Sequence, residues 1–246
     1  MTASLPDIML RAQKAGVAKM VSCGTCESDW SLLEQLALSY PEIIPFYGVH
    51  PWYMSGLSDD WLNRLEAFVC KPGAGLGEIG LDHAIADRCD ARQEEVFVAQ
   101  LKLANRLRKP VNVHCRKAWG AILKCLKQLG GLAVPGVLHS YSGSVELIPA
   151  FIEHGFYVSF SGAIVSERNR RGRMALATVP RDRFLLETDS PDLLPYGVSG
   201  EFNEPANNVH VAHVASEILG MSFEETVKLS FENAQRVFSD LSSPVL

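Results

Sequence analysis

The sequence has no long hydrophobic run, no leader-like start and no excess of basic residues. No apolar stretch approaches the roughly 18 to 20 residues that span a bilayer, and residues 1–16 lack the basic head and apolar core of a signal peptide. These absences favour a cytoplasmic protein without a membrane partner. The net charge is −5, whereas proteins held on DNA by charge neutralisation are usually basic. Any nucleic acid would therefore be bound locally and transiently.

The six cysteines lack the spacing of a disulfide framework. Cys23 and Cys26 form a Cys-x-x-Cys pair after a strand-like run, which makes a redox motif conceivable. A structural zinc site would need a second such pair, and the sequence has none. We therefore favour the simpler interpretation, small apolar residues at the end of a strand.

Short runs of apolar and β-branched residues alternate with longer amphipathic segments. The runs are apolar nearly throughout, as expected for parallel strands buried on both faces. The predicted strands are Ala18–Gly24, Ile43–His50, Gly75–Asp82, Pro110–Arg116, Gly136–Ser140, Phe156–Gly162 and Phe184–Asp189. The predicted helices are Pro6–Ala15, Asp29–Ser39, Ala91–Arg108, Lys117–Leu129, Leu147–His154, Asn207–Leu219 and Phe223–Phe238.

A repeating β-α order produces either a closed barrel or an open doubly wound sheet. The glycine-rich stretch Gly73–Gly77 precedes a strand instead of leading into a helix, which excludes the dinucleotide-binding fingerprint. The length of 246 residues suits one α/β barrel of roughly 250 residues. We therefore predict an α/β fold of the TIM-like (β/α) barrel type, with residues 1–246 forming a single domain.

Polar residues interrupt the C-terminal ends of the apolar strands; they are His50, Glu78, Asp82, His114, Arg116, His139, Glu187 and Asp189. Four of them are the candidate ligands: Glu78, His114, His139 and Asp189. Barrels of this kind assemble their active sites at the C-terminal ends of the strands. One such residue alone could be a hydrogen-bonded core histidine or a helix N-cap aspartate. Four of them at four strand ends favour a functional site. Their oxygen and nitrogen donors suit a divalent metal ion and leave room for water.

Other polar and aromatic residues near strand ends permit two interpretations each. His50 could face the substrate or be an ordered loop histidine. Arg116 could bind a phosphate with its planar fork or pair with a barrel carboxylate. A basic cluster could track phosphates or form a solvated helix face; it comprises Arg168, Arg170, Arg171 and Arg173. Three aromatics could stack on bases or simply pack; they are Trp52, Tyr53 and Tyr141.

Taken together, these motifs resemble the TatD-like deoxyribonuclease family, a branch of the amidohydrolase-type metal barrels. The similarity covers nearly the whole chain, and the motifs follow the family's order. The matching stretches are Gly48-Val49-His50-Pro51, Gly77-Glu78-Ile79-Gly80-Leu81-Asp82, His114-Cys115-Arg116, His139-Ser140-Tyr141-Ser142-Gly143, Glu187-Thr188-Asp189-Ser190-Pro191 and Asn203-Glu204-Pro205.

The resemblance implies a metal-dependent deoxyribonuclease, a hydrolase that cleaves DNA phosphodiester bonds with a metal-activated water. Glu78, His114, His139 and Asp189 would bind the divalent cation, Mg²⁺ first and Mn²⁺ or Zn²⁺ as alternatives. Glu78 and Asp189 would be catalytic, since Glu78 could bridge two ions and Asp189 could orient or deprotonate the attacking water. His50 and Arg116 are the candidates for substrate contact. DNA would be a transient substrate, and no obligate protein partner is implied.

The start of the chain departs from the family pattern. Many relatives begin with a strand ending in an Asp-x-His-x-His-like run that supplies two further metal ligands, whereas this chain runs directly into a helix-like stretch. We therefore expect a barrel lacking its first strand and at most one tightly held ion, with Asp189 as the looser ligand. A late start or a shortened chain would explain the difference better than a natural seven-stranded barrel.

Two other functions compete with the deoxyribonuclease hypothesis. Related barrels also support metal-dependent hydrolysis of small C–N or C–O substrates. A metal-deficient, non-catalytic barrel is the third alternative; the complete set of four ligands argues against it, and the atypical start argues for it. The sequence leaves open the polarity of cleavage, exonuclease or endonuclease action, the native metal and the oligomeric state.

Overall fold

The computed structural model describes residues 4–86, 88–238 and 241 of the chain. Strands and helices alternate along it, and none of the described helices is long and apolar enough to cross a membrane. The α-helices are α1 (Leu5–Lys14), α2 (Trp30–Ser39), α3 (Trp61–Val69), α4 (Asp90–Leu107), α5 (Trp119–Leu129), α6 (Ile148–Glu153), α7 (Arg170–Thr178), α8 (Asn208–Leu219) and α9 (Phe223–Phe238). The strands are β1 (Met20–Cys23), β2 (Ile43–Tyr47), β3 (Gly75–Asp82), β4 (Val111–Arg116), β5 (Gly136–Leu138), β6 (Phe156–Phe160) and β7 (Phe184–Leu186).

The secondary structure confirms the predicted β/α order. All seven predicted strands are present, most of them shorter than expected at their C-terminal ends. Two nine-residue helices, α3 and α7, were not predicted. Their buried residues are Leu65 and Val69 in α3 and Gly172, Ala175 and Leu176 in α7. Within the described residues α1 precedes β1 and no strand comes before it; the first residues of the atypical start, Thr2 and Ala3, lie outside the described residues.

The strands form one sheet in which β1 to β7 are neighbours in chain order. The described ladders β2–β3, β3–β4, β4–β5 and β6–β7 are all parallel. In the longest of them, Gly80 lies opposite His114 and Asp82 opposite Arg116. The register shifts between Leu76 and Ile79, the part of β3 that contains Glu78. Parallel pairing carries the C-terminal ends of neighbouring strands to the same edge of the sheet.

The chain divides into two compact units. The first comprises residues 1–20, 139–148 and 158–235, and the second comprises residues 21–138, 149–157 and 236–246. The expected single domain stays a prediction. In the second unit the completely buried residues Phe46, Leu76, Ile79 and Phe97 form part of the core. Each such side chain contributes roughly 1.5–3 kcal/mol of hydrophobic stabilisation. This burial stabilises the strands that carry Glu78 and His114.

The first unit is held by buried aromatics and by hydrogen bonds from α9 to the strand β7. Phe160 and Phe184 are almost completely buried. The side-chain amide of Asn233, on α9, donates to the carbonyl oxygens of Arg181 and Phe184 at 2.9 Å each. These bonds join α9 to β7 and to the segment that precedes it. The strand that leads to Asp189 is thereby fixed against the helix.

Candidate functional site

Glu78 occupies the middle of β3, where the strand approaches β4 closely. Gly80 has a φ of 151°, which only glycine adopts readily. A Cβ at Gly80 would also overlap the carbonyl oxygen of His114. The backbone N–H of Glu78 donates to the carbonyl oxygen of Gly24 at 3.0 Å. The glycine therefore lets β3 pack tightly beside β4 and fixes the backbone from which Glu78 projects.

Glu78 and His114 form a close pair in the second unit. The Nδ1 atom of His114 lies 3.0 Å from Oε1 of Glu78, and their side chains are only 10% and 18% exposed. A carboxylate that is largely removed from water is costly unless a cation or a donor faces it. These two candidate ligands, identified on separate strands, thus lie side by side.

Asp82 orients His114 from the other side of the imidazole ring. Its side chain is completely buried, and Oδ2 lies 3.3 Å from Nε2 of His114. Burial alone would raise the pKa of Asp82. Hydrogen bonds from the Trp52 indole and the Ala84 backbone, together with the charges of His114 and Arg116, lower the pKa below its ordinary value. The ionised carboxylate can accept the Nε2–H of His114, which would leave Nδ1 for a cation shared with Glu78.

His50 is the third side chain of this group. Its Nε2 atom lies 3.5 Å from Oε1 of Glu78, and the potential ligand atoms of His50, Glu78 and His114 all lie within 4.8 Å of one another. However, Nδ1 of His50 accepts the backbone N–H of Trp52 at 3.2 Å. A neutral imidazole that accepts at Nδ1 carries its proton on Nε2. This tautomer makes His50 a donor towards the site, which fits substrate contact better than metal ligation.

The donor set in the second unit fits a divalent cation. Two ligand atoms that bind the same ion, each about 2 Å from it, lie roughly 3 to 4 Å from each other. The 3.0 Å separation between Nδ1 of His114 and Oε1 of Glu78 meets this condition. The carboxylate oxygen suits Mg²⁺ and Mn²⁺, and the imidazole nitrogen is a ligand typical of Zn²⁺. Glu78 and His114 could therefore hold part of a metal site.

His139 and Asp189 are brought together in the first unit. Nδ1 of His139 lies 3.6 Å from Oδ1 of Asp189 and 3.5 Å from Oε1 of Glu187. The backbone N–H of Ser140 donates to the same Glu187 oxygen at 2.6 Å. Asp189 has a positive φ of 62°, an uncommon conformation that recurs at functional sites. The convergence of all four predicted ligands on one site stays a prediction.

Arg116 forms the ion pair that was one of its two interpretations, and phosphate binding by this residue stays a prediction. Its guanidinium NH1 lies 3.6 Å from Oδ2 of Asp82, so an ion pair with a buried carboxylate is present. The side chain is nevertheless 52% exposed, so its remaining N–H groups can still meet a ligand. In the basic cluster, Arg170, Arg171 and Arg173 lie on α7. The guanidinium of Arg173 donates to the carbonyl oxygen of Ile164, which gives this residue a structural role.

Two carboxylates of the site were not assigned from the sequence. Asp82 and Glu187 both stand at the ends of apolar strands, which is the signal that identified the other candidates. Their neighbours, His114 for Asp82 and His139 for Glu187, come from other segments of the chain. Pairing across strands depends on register, and no pattern within one strand reports it.

Comparison with known proteins agrees with these motifs and with this geometry. A family model described as TatD related DNase matches residues 1–239. The chain belongs to this family. Among its relatives, the "uncharacterized metal-dependent hydrolase YabD" of Bacillus subtilis is 30% identical over 237 residues, covering 95% of this chain and 92% of that protein. The "3'-5' ssDNA/RNA exonuclease TatD" of Edwardsiella piscicida is 32% identical over 243 residues, covering 95% and 93%.

A solved structure supports the same assignment. The crystal structure of YJJV, a TatD homologue from Escherichia coli, matches with a TM-score of 0.89 and 30% identity, covering 94% of this chain and 90% of that one. The TatD-related family and its TIM-like (β/α) class, both expected from the motifs, are thereby confirmed.

Proposed function

We propose that this TatD-related protein is a metal-dependent hydrolase that cleaves phosphodiester bonds of DNA. The observation that carries the proposal is the buried pair of Glu78 and His114, with 3.0 Å between Oε1 and Nδ1 and with His114 oriented by Asp82. The name of the Edwardsiella relative, a single-stranded DNA and RNA exonuclease, supports a nucleic acid as substrate. The net charge of −5 agrees with transient binding of a polyanion at a local site.

Glu78 and His114 would hold the cation, and His139 and Asp189 are proposed to complete its ligands. A bound divalent cation lowers the pKa of water and neutralises charge on a phosphoryl oxygen. We propose Mg²⁺ first, with Mn²⁺ and Zn²⁺ as the alternatives to test. With the cation bound, Asp82 would accept the Nε2–H of His114 and leave Nδ1 to bind the ion.

The remaining side chains would bind the substrate and move a proton. The Nε2–H of His50, fixed by the backbone N–H of Trp52 on Nδ1, would donate to a phosphoryl oxygen. The exposed part of the Arg116 guanidinium would bind a second phosphate oxygen. Asp189 would accept the proton that the attacking water loses as its oxygen bonds to phosphorus, while the ester bond to the departing nucleoside oxygen breaks.

A substrate panel tests this proposal. The purified chain is dialysed against a chelator, and Mg²⁺, Mn²⁺ or Zn²⁺ is then added separately. Each sample is assayed with a labelled single-stranded oligodeoxynucleotide and with carboxyl ester, lactone and amide substrates. We expect hydrolysis of the oligonucleotide that the chelator abolishes and a metal ion restores. Metal-dependent turnover of an ester, lactone or amide without cleavage of DNA would instead show a small-molecule hydrolase.

A further inference from the structure

Trp52 is an exposed aromatic residue whose ring is held in place by a buried carboxylate. It lies in the 3₁₀ turn Pro51–Gly56 and is 51% exposed. Its indole Nε1–H nevertheless donates to Oδ2 of the completely buried Asp82 at 2.7 Å. A single exposed apolar side chain needs no explanation by itself. A bulky ring with its only polar group bound to a buried acid is different, because its orientation is fixed while much of its surface faces solvent.

The fixed ring stands directly beside the proposed metal ligands. The ring centroids of His50 and Trp52 are 5.0 Å apart, with the planes at 89°, and Nε2 of His50 lies 3.5 Å from Glu78. Oδ2 of Asp82, which binds the indole, also lies 3.3 Å from Nε2 of His114. Trp52 therefore contacts both His50, which lies next to Glu78, and Asp82, which lies next to His114.

The residues around Trp52 offer groups that could bind the base and the phosphate of a nucleotide. Tyr53, the next residue, is 46% exposed, and the half-exposed guanidinium of Arg116 lies beside Asp82. Proteins that bind single strands combine cationic groups for the phosphates with aromatic rings on which bases stack. On the basis of the proposed function, we propose that Trp52 is a stacking platform for one unpaired base next to the cleaved phosphodiester. It is a positioning residue that selects single-stranded substrate.

The geometry favours an unpaired base over a base in a duplex. A ring face can be covered only by a base that is free to leave its own stack, and bases in a duplex remain stacked on their neighbours. Arg116, which lies 3.6 Å from Asp82, and His50, which lies 3.5 Å from Glu78, both carry N–H groups that could donate to a phosphate. One nucleotide could thus place its base on Trp52 and its phosphate near the ligand pair.

Kinetics with paired substrates test the stacking directly. Wild type and Trp52→Ala are compared on an oligodeoxynucleotide and on one that carries an abasic nucleotide at the cleaved position. We expect Trp52→Ala to raise KM for the intact strand about 10-fold, with kcat and bound metal nearly unchanged, and to have little further effect on the abasic strand. A purely structural role of Trp52, exerted through Asp82, would not depend on the base of the substrate. An equal rise in KM for both strands, or a loss of bound metal, would therefore overturn the stacking role.

The matched control is Phe231→Ala, which removes another half-exposed aromatic, this one on α9. We expect it to leave KM unchanged for both strands. A similar rise in KM for this variant would show that loss of any exposed ring weakens binding, and it would refute a specific role for Trp52.

Fluorescence separates this inference from the proposed function. Trp52 is one of four tryptophans, and another of them, Trp30, is completely buried. A base that stacks on Trp52 should quench the emission of Trp52, and the Trp52→Phe variant lacks that emission. We expect titration with oligothymidylate to quench wild type and to leave Trp52→Phe nearly unchanged. If wild type cleaves no nucleic acid, the proposed function fails, and the quenching still decides whether Trp52 binds bases. Equal quenching of both proteins contradicts the platform.

Discussion

Asp82 contacts three side chains of the site, those of Trp52, His114 and Arg116. Its Oδ1 accepts the backbone N–H of Ala84 at 2.7 Å, while Oδ2 faces the Trp52 indole, His114 and Arg116. All of these neighbours are donors or cations, so a carboxylate with two acceptor oxygens satisfies them all. An amide would offer one acceptor oxygen, and its NH₂ group would meet another donor.

We therefore expect Asp82→Asn to weaken metal binding through His114. Partners that hold the second nitrogen of a ligating histidine typically change metal affinity about 10–100-fold. Isothermal titration of the purified variant with Mn²⁺ should show a rise of that size in Kd. The control is Asp59→Asn, an exposed carboxylate ahead of α3, for which Kd should not change. An unchanged Kd for Asp82→Asn would show that Asp82 does not position His114.

At the level of secondary structure, Gly80 is the position where β3 tolerates no side chain. Its φ of 151° strains any other residue, and an added Cβ would overlap the His114 carbonyl in the neighbouring strand. We expect Gly80→Ala to lower the free energy of unfolding by at least about 2 kcal/mol, measured by urea denaturation.

Gly120→Ala is the matched control for this substitution. Gly120 lies within α5, and a Cβ there meets nothing within 4 Å. Alanine in a helix is favoured over glycine, so this variant should gain up to about 1 kcal/mol. Equal stability of the two variants would contradict the close approach of β3 and β4.

Much of the fold could be predicted from the sequence because each element carries its own pattern. The strand β3 was predicted with its observed bounds, since Gly75–Asp82 is buried along its length and apolar apart from its glycines and two acids. The strand β7 ends at Leu186, three residues before its predicted end, and the backbone then turns through a positive φ of 62° at Asp189. Local apolarity does not record such a turn. The helix α7 was missed since its first half consists of arginines and a glycine.

At the level of the whole molecule, the sequence identified candidate ligands but not their partners. Glu78 and His114 were found from their positions in strands, and the structure places them 3.0 Å apart. The role of Asp82 depends on contacts between segments far apart in the chain, such as the one between Trp52 and Asp82. The joint action of both halves of the proposed ligand set stays a prediction.

The number of ions follows from the ligands of the whole chain. No two of the seven histidines in this sequence are separated by a single residue, so no His-x-His pair adds to the four proposed ligands. We expect one tightly held divalent ion per chain. A cation at 100 times its Kd should stabilise the fold by about 2.7 kcal/mol and raise Tm. Two tight ions by titration, or no rise in Tm on metal addition, would contradict this expectation.

The central claim is that Glu78 holds the cation on which hydrolysis of DNA depends. The most direct test is the rate of single-stranded DNA cleavage by Glu78→Gln, with Glu66→Gln as control, since Glu66 lies on α3 in an exposed ion pair with Arg106. The glutamine at position 78 keeps the size of the side chain and removes its charge. We predict at least a 100-fold slower rate, about 3 kcal/mol in barrier, for Glu78→Gln alone. Near-wild-type cleavage by Glu78→Gln would contradict the account.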